Sequence, residues 1–258
     1  DATNASQDNE VIGLYDKVNG DVGFLEGPHR YENIKDPTIK YISVTTLIER
    51  YGKPFDREFV SKYKALERLL SASDWKKEKG GIWKNHKIPK DFLEVYNISE
   101  SELNKVQQEI LDEWTKVNKE ACERGTKIHS QLENSFYKSG SNITLKKFGI
   151  WGKFECKKDY TDLDLEYGVY PEYLIYYDNP KIDLHIAGQI DLLIKNGNDI
   201  ILGDWKTNAK IDQKGFFNNS TKSTRKMKYP LTNIEDCNLW HYYLQLSKLW
   251  HYQQDLMK

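Results

Sequence analysis

Residues 187–207 read AGQIDLLIKNGNDIILGDWKT: two strand-like runs joined at Asn196-Gly197, with Asp191 on the first run and Asp204 and Lys206 on the second. Alternating side chains along a strand place Asp204 and Lys206 on one face and Trp205 on the other. Two registers fit the turn. With Asn196-Gly197 at the centre of a type I′ turn, Lys195 pairs with Asn198 and Asp191 lies diagonal to Asp204. With a loop of Asn196 to Asp199, Lys195 pairs with Ile200 and Asp191 faces Asp204 directly. Either register keeps the parity and leaves the two carboxylates about 5–8 Å apart at Cβ. Like charges so close call for a proton or a cation between them. A divalent metal on oxygen ligands, with a lysine beside it, meets that need. An ordinary hairpin with a polar solvent face is the alternative reading.

The rest of the chain bounds what such a hairpin serves. The 258 residues include 17 Tyr and 7 Trp, are 38% hydrophobic, and suffice for one large or two small domains. No apolar run approaches the ~18 residues of a membrane span. A formal charge of −1 gives no global electrostatic case for nucleic acid, so any such case is local. The three cysteines, Cys122, Cys156 and Cys237, are far apart and form no CxxC pair. They point to reduced, intracellular thiols and exclude a four-cysteine zinc or iron–sulfur site within one chain. The chain begins Asp-Ala-Thr-Asn, without Met and without a basic-then-apolar leader, and reads as trimmed or excised from a longer frame.

Along the chain, residues 1–10 read as a disordered polar tail and 11–43 as short strands, with a helix beginning at Val44-Thr-Thr-Leu-Ile. Residues 56–70 carry a 3.6-residue apolar period. Residues 71–98 read as short helices and loops. Ser99-x-x-Glu102 is a capping box that opens a long helix near Glu100, which Gly125 either kinks or divides from a second helix over 126–137. A loop and short helix fill 139–165. Strands follow over 167–177, 184–195 and 199–206, and an aromatic-rich amphipathic helix covers about 238–256. The expectation is an α/β fold: a small mixed β-sheet flanked by helices, with a mostly helical N-terminal extension, as one domain over 11–258 divided at 98/99.

His129 lies on the predicted helix with Glu133 on the same face. Imidazole plus two carboxylates suits Mn²⁺ or Mg²⁺. Glu172, an acid on an otherwise apolar strand, is either a strand-edge charge or a further ligand. Downstream, Lys210, Lys214, Lys222, Arg225, Lys226 and Lys228 stand against the single acid Asp212 within residues 208–228, interrupted by Phe216 and Phe217. Such a loop suits phosphate neutralisation and stacking on single-stranded ends. Lys76 to Lys90 is a second basic stretch.

Taken together, GTKIH at 125–129, PEY at 171–173, GQID at 188–191, DWKT at 204–207 and LQLSKLW at 244–250 resemble the PD-(D/E)XK nuclease superfamily in its RecB-like branch. They stand in that family's order. The runs 29–56 and 226–238 look like phage and viral exonucleases of the branch, so the resemblance covers most of 20–256. The AG…D…DWKT arrangement is also similar to that of the mitochondrial genome-maintenance exonuclease, though no transit peptide is seen.

The resemblance implies a restriction-endonuclease-like core in which Asp191 and Asp204 ligate a metal, joined by His129 and the carbonyl of Trp205. Lys206 would orient or deprotonate the attacking water, Glu172 would assist, and Thr207, Gln189 and Gln245 would support the site or touch DNA. The closing helix departs from the family: its usual Gln-then-Tyr spacing of four reads Gln245 and Leu249 here, with Trp250 and Tyr252 nearby. The expected function is a Mg²⁺- or Mn²⁺-dependent nuclease without an iron–sulfur cluster, acting on linear or single-strand-ended DNA in phage-type recombination, replication or repair. It would work inside the cell, in a bacterial host's cytoplasm if phage-encoded, and not on a membrane. A silent nuclease-fold binding module and an RNA-directed nuclease are the alternatives. Oligomeric state is open.

Overall fold

The structure, a computed structural model, describes residues 14–158, 165–218 and 222–256, with side chains as far as Leu249. The 1–10 tail and the side chains of Trp250 and Tyr252 lie outside the described residues. Chain contacts define two compact units. One comprises Asp1–Lys53, Lys127–Phe217 and Thr224–Lys258; the other comprises Pro54–Thr126 with Asn218–Ser223. The dividing points are thus 53/54 and 126/127, where the sequence pattern suggested 98/99.

The first unit is built on one long strand. Strands β1 (Lys17–Asn19), β2 (Val22–Leu25) and β3 (Arg30–Asn33) form a small antiparallel sheet. A second, mixed sheet holds β4 (Ile42–Ser43), β5 (Gly168–Asn179), β6 (Leu184–Asn196) and β7 (Asp199–Gly203). Along one edge β6 pairs antiparallel with β5, from Asn179↔Leu184 to Gly168↔Lys195. Its other edge is shared: β4 runs parallel at Ile186 and Ala187, and β7 runs antiparallel from Leu192↔Gly203 to Asn196↔Asp199. Between them, Gly188 to Asp191 have no strand partner on that edge among the described residues.

Both sheet faces are covered, which is why β5 and β6 read as nearly continuous apolar runs. Helices α1 (Val44–Glu49) and the closing helix, Asn238–Leu256, supply Val44, Ile48 and Leu249 to a cluster with Tyr170, Tyr173, Ile175, Ile186, Ile190 and Leu193. Val22, Phe24 and Tyr31 of the small sheet meet Leu174 and Ala187. Ile143, Leu145 and Phe154 meet Val169, Leu192 and Ile194. Gly188 permits the close approach here, since a Cβ would lie 3.1 Å from Val44 and 3.2 Å from Leu249.

The hairpin takes the second of the two registers, with Lys195 opposite Ile200 and Asn196 opposite Asp199. The turn residues are Gly197-Asn198, and Gly197 has φ +60°, the positive angle that a Gly-X turn requires first. The ladder ends at Gly203, not Lys206, because the Trp205 N–H donates to Asp191 Oδ2 at 2.6 Å and not to a β6 carbonyl.

The second unit is helical. Its elements are α2 (Arg57–Leu69), α3 (Ala72–Asn85), α4 (Phe92–Val95) and the first part of α5 (Glu100–Ser139). Asp56 and Ser71 cap α2 and α3 by accepting from Phe59 N and Asp74 N. Phe59, Ala65, Leu66, Trp75, Ile82, Phe92, Leu103 and Ile110 form its core. The short helices and loops expected over 71–98 are one 14-residue helix, the four-residue α4 and the turns around them. The longer helix continues through Gly80-Gly81 because Trp75 and Ile82 are buried on one side, and packing outweighs glycine's low propensity. The capping box forms as read, with Ser99 N donating to Glu102 at 2.9 Å and Glu102 N to Ser99 Oγ at 3.2 Å. Helix α5 runs unbroken past Gly125. With the closing helix numbered α6, no helix among the described residues is long and apolar enough to cross a membrane.

Candidate metal centre

A cavity of 390 Å³ opens where the shared edge of β6 lacks a strand. His129 enters it from α5, Glu172 from β5, Asp191 and Gln189 from β6, Asp204 and Lys206 from the segment after β7, and Gln245 from α6. All belong to the first unit.

Glu172 and Asp191 face each other at an interruption in the sheet. Pro171 pairs with Leu192 and Tyr173 with Ile190, but the pair between them is missing from the ladder. Toward the α1–α6 cluster the strands send Tyr170, Tyr173 and Ile175 from β5, and Ile186, Ile190 and Leu193 from β6. A spacing of three replaces the usual two across Glu172, and again across Asp191. One residue on each strand is therefore extra to the alternation, and each is an acid. Glu172 has φ +48°, a region that non-glycine residues occupy rarely and at a cost of roughly 1–3 kcal/mol. Backbone strain is concentrated on a residue whose side chain enters the cavity.

His129 bridges the acids. Its Nδ1 lies 3.2 Å from Glu172 Oε1 and 3.7 Å from Asp191 Oδ1, and its Nε2 lies 3.2 Å from the carbonyl oxygen of Trp205. Both ring nitrogens face acceptors, which only the imidazolium satisfies together. The hydrogen bond to Glu172 accordingly raises the pKa of His129, burial opposes it, and Asp191 adds to the rise. Burial, then the Asp204 carboxylate, push the Asp191 carboxyl up to about 7, against the Trp205 N–H bond that pulls it down.

One ligand atom from each of His129, Glu172 and Asp191 falls within a sphere where all lie inside 4.8 Å of one another. The donor set of one imidazole and two carboxylates, with a carbonyl beside it, fits a hard divalent cation. The crowding of Asp191, Glu172 and Asp204 is the repulsion such a cation would relieve.

Asp204 stands apart from that trio. Its two carboxylate oxygens lie 2.9 and 2.8 Å from Lys206 Nζ, as the i, i+2 spacing places them. Lys206 Nζ also sits 4.5 Å above the ring of Tyr242, whose hydroxyl donates to Asn208 at 2.8 Å. The ammonium is thus held between a carboxylate and an aromatic face.

The expected nucleic-acid residues are scattered. Gln245 lines the cavity, and Thr207 is half-buried next to Lys206. Arg225 and Lys226 are ion-paired within the fold, Arg225 Nε 3.0 Å from Asp236 and Lys226 Nζ 3.2 Å from Glu235. Lys210 pairs with Asp212 at 2.8 Å, and Lys228 Nζ donates to the carbonyl of Arg50. Lys214 is exposed, and Lys222 belongs to the other unit. The loop's basic excess is therefore largely matched by local acids and carbonyls.

Several site residues carry no signal in the sequence. His29 and Tyr31 line the cavity from the small sheet and its turn, and Glu49 from the end of α1. Lys17 reaches Glu133 Oε1 at 2.6 Å, and Tyr137 donates to the same oxygen at 3.2 Å. Tyr242 was legible in principle: three residues before Gln245, it shares that helix face. Comparison of the chain with family models, with curated proteins and with solved structures finds no match.

Proposed function

We propose that the chain is a divalent-metal-dependent phosphodiester hydrolase acting on DNA, on a core of restriction-endonuclease type. The observation that carries this reading is the meeting of His129, Glu172 and Asp191 ligand atoms within 4.8 Å in the same cavity as Asp204 and Lys206. These three side chains and the Trp205 carbonyl would hold Mg²⁺ or Mn²⁺. When bound, such a cation supplies Lewis-acid charge at the phosphoryl oxygen and acidifies a coordinated water.

The chain's own groups do the rest. Lys206, aligned by Asp204 and Tyr242, donates to the scissile phosphate and balances the negative charge that grows there on attack. Asp204 holds the ammonium in place at the cavity. Glu172 and Asp191 are placed to accept a proton from the attacking water. The side-chain amide of Gln245 faces the same space and can hydrogen-bond a phosphate or sugar oxygen. An exonuclease working on linear ends in phage-type recombination, replication or repair is the finer reading, and the sequence resemblance alone supports it.

The test is digestion of end-labelled linear, nicked and closed circular DNA, beside RNA of the same sequence, with Mn²⁺, Mg²⁺ or EDTA. Linear DNA is expected to be degraded only with metal. Folded Asp204→Asn and Lys206→Met variants should each lose at least about a hundredfold in rate. Unimpaired cleavage by a folded Lys206→Met protein overturns the mechanism. Preference for RNA, or metal binding without cleavage of either polymer, would select one of the alternatives.

A further inference from the structure

Residues 143–156 form an arm beside the candidate site whose sides are fixed and whose tip is bare. Ile143 and Phe154 pair across it, Ile143 N to Phe154 O at 3.0 Å and Phe154 N to Ile143 O at 2.9 Å. Ile143, Leu145 and Phe154 are buried in the cluster with Val169, Leu192 and Ile194. The arm's end is tied to β5, with Cys156 bridging Val169 and Val169 N donating to Glu155 O at 2.8 Å.

Between these anchors stand two large aromatic residues in solvent, Phe148 at 61% and Trp151 at 70% exposure. Apolar area of that size left in water forgoes roughly 25 cal/mol per Å² of burial, and a rigid loop does not need it for its own packing. A short 3₁₀ turn, Lys146–Phe148, ends at Gly149 with φ +75° and presents the first ring; Gly152, with φ +141° and packed under the Tyr167 hydroxyl, follows the second.

The charges around the rings have one sign. Lys146, Lys147 and Lys153 are exposed, and Lys146 Nζ lies 5.6 Å over the Trp151 ring. The arm's single acid, Glu155, is 3.0 Å from Lys157. Phe148 in turn approaches Trp205, ring centroids 6.2 Å apart at 55°. Trp205 is the residue whose N–H and carbonyl meet Asp191 and His129. The segment 204–206 therefore offers Asp204 and Lys206 to the cavity and supports the Phe148 ring through Trp205.

We infer that Phe148 and Trp151 are a stacking platform for the unpaired bases of single-stranded nucleic acid, with Lys146, Lys147 and Lys153 holding its phosphates. Exposed π-faces interleaved with cations suit a ligand that is both aromatic and polyanionic, whatever its base order. The inference rests on the hydrolase reading for its substrate class, and it locates the unpaired strand on this arm, away from the internally paired cations of the 208–228 loop.

The experiment measures binding without hydrolysis. In EDTA, fluorescence anisotropy follows a labelled oligothymidylate, a duplex and phosphatidylserine vesicles added to the full chain. The oligothymidylate should bind, with Trp151 emission quenched. Phe148→Ala and Trp151→Ala should each weaken it about tenfold, while Phe148→Tyr and Trp151→Tyr should retain binding within about twofold of the parent. Circular dichroism checks the fold of each variant. Alanine variants that bind as the parent does overturn the platform, as does binding of vesicles or duplex alone.

Hydrolysis of bis(p-nitrophenyl) phosphate with Mn²⁺, run in parallel, separates the two readings. Hydrolysis without oligothymidylate binding removes the platform and keeps the hydrolase. Ring-dependent binding without hydrolysis keeps the platform and removes the hydrolase.

Discussion

Lys17 donates a 3.2 Å hydrogen bond to the main-chain carbonyl of Glu172, the one residue of β5 with positive φ. The same ammonium is 2.6 Å from Glu133 Oε1, one turn along α5 from His129. Strand β1 thus ties the strained acid of β5 to the helix that brings the imidazole. Lys17→Met removes this tie while leaving all three candidate ligands in place. Loss of a partner that orients ligands typically costs 10–100-fold in metal affinity. About tenfold weaker Mn²⁺ binding is expected by calorimetry, with partial recovery in Lys17→Arg.

Divalent metal should stabilise the fold itself. A ligand that binds only the native state adds RT ln(1 + [L]/Kd), about 2.7 kcal/mol at a hundredfold excess over Kd. Mn²⁺ is expected to raise the melting temperature and EDTA to reverse it. Asp191→Asn or His129→Ala should abolish most of the shift, and an unchanged shift in both would place the metal elsewhere.

Asp236 predicts an acid-sensitive buried network. Its carboxylate accepts from Lys53 N at 2.9 Å and lies 3.0 Å from Arg225 Nε and 2.9 Å from His241 Nε2. Burial alone would raise its pKa; the Lys53 N–H, His241 and Arg225 together lower it below the usual aspartate value. A lowered carboxyl stabilises the fold above the unfolded-state pKa, about 3.9 for Asp. That contribution fades as pH falls through the lower native value. Asp236→Asn should cost about 3 kcal/mol at neutral pH, and the difference from the parent should shrink in urea titrations below about pH 4.

Leu193→Ala tests the core beneath the candidate metal site. Leu193 of β6 is fully buried, and truncations of this kind cost about 2–5 kcal/mol. A smaller loss in denaturant midpoint would mean that α1 and α6 collapse onto the vacated space.

Thiol labelling checks burial independently. Cys122 is exposed, whereas Cys156 is half-buried and burial pushes its thiol up to about 11. Less thiolate means slower attack. Maleimide should modify Cys122 first and Cys156 at least about tenfold more slowly, read by mass spectrometry of peptides.

Much of this was visible in the chain. Apolar spacing and the Ser99–Glu102 box located α2, α5 and α6 nearly to the residue, because local caps and periodicity act over a few positions. Strand alternation was enough to put Asp204 beside Lys206 and to narrow the hairpin to two registers. Choosing between them needed Gly197, not Asn196, at the first turn position. Glu172 shows where sequence fails: its positive φ comes from the mismatch it shares with Asp191 across two strands, and no local pattern encodes that. Lys17 and Glu133 are 116 positions apart, joined only by the completed fold. The basic loop is less unbalanced than its own count suggests, since Asp236 and Glu235, which match Arg225 and Lys226, lie just beyond the window in which its charge is counted.

The divided edge of β6 has a consequence for the order of assembly. Strands β5, β6 and β7 follow one another within residues 168–203, so their pairing closes only short loops and can form early. Strand β4 joins the same edge across more than 140 positions and belongs to a late step. The early meander carries Glu172, Asp191 and, just past its end, Asp204, before β1 has delivered Lys17 or α1 has closed the cavity wall. A nascent chain would therefore hold three carboxylates close together with few of their eventual counter-charges. Free Mg²⁺ should then hasten refolding as well as complete the finished site, so that, on the proposed reading, the cation would take part in construction before it takes part in chemistry.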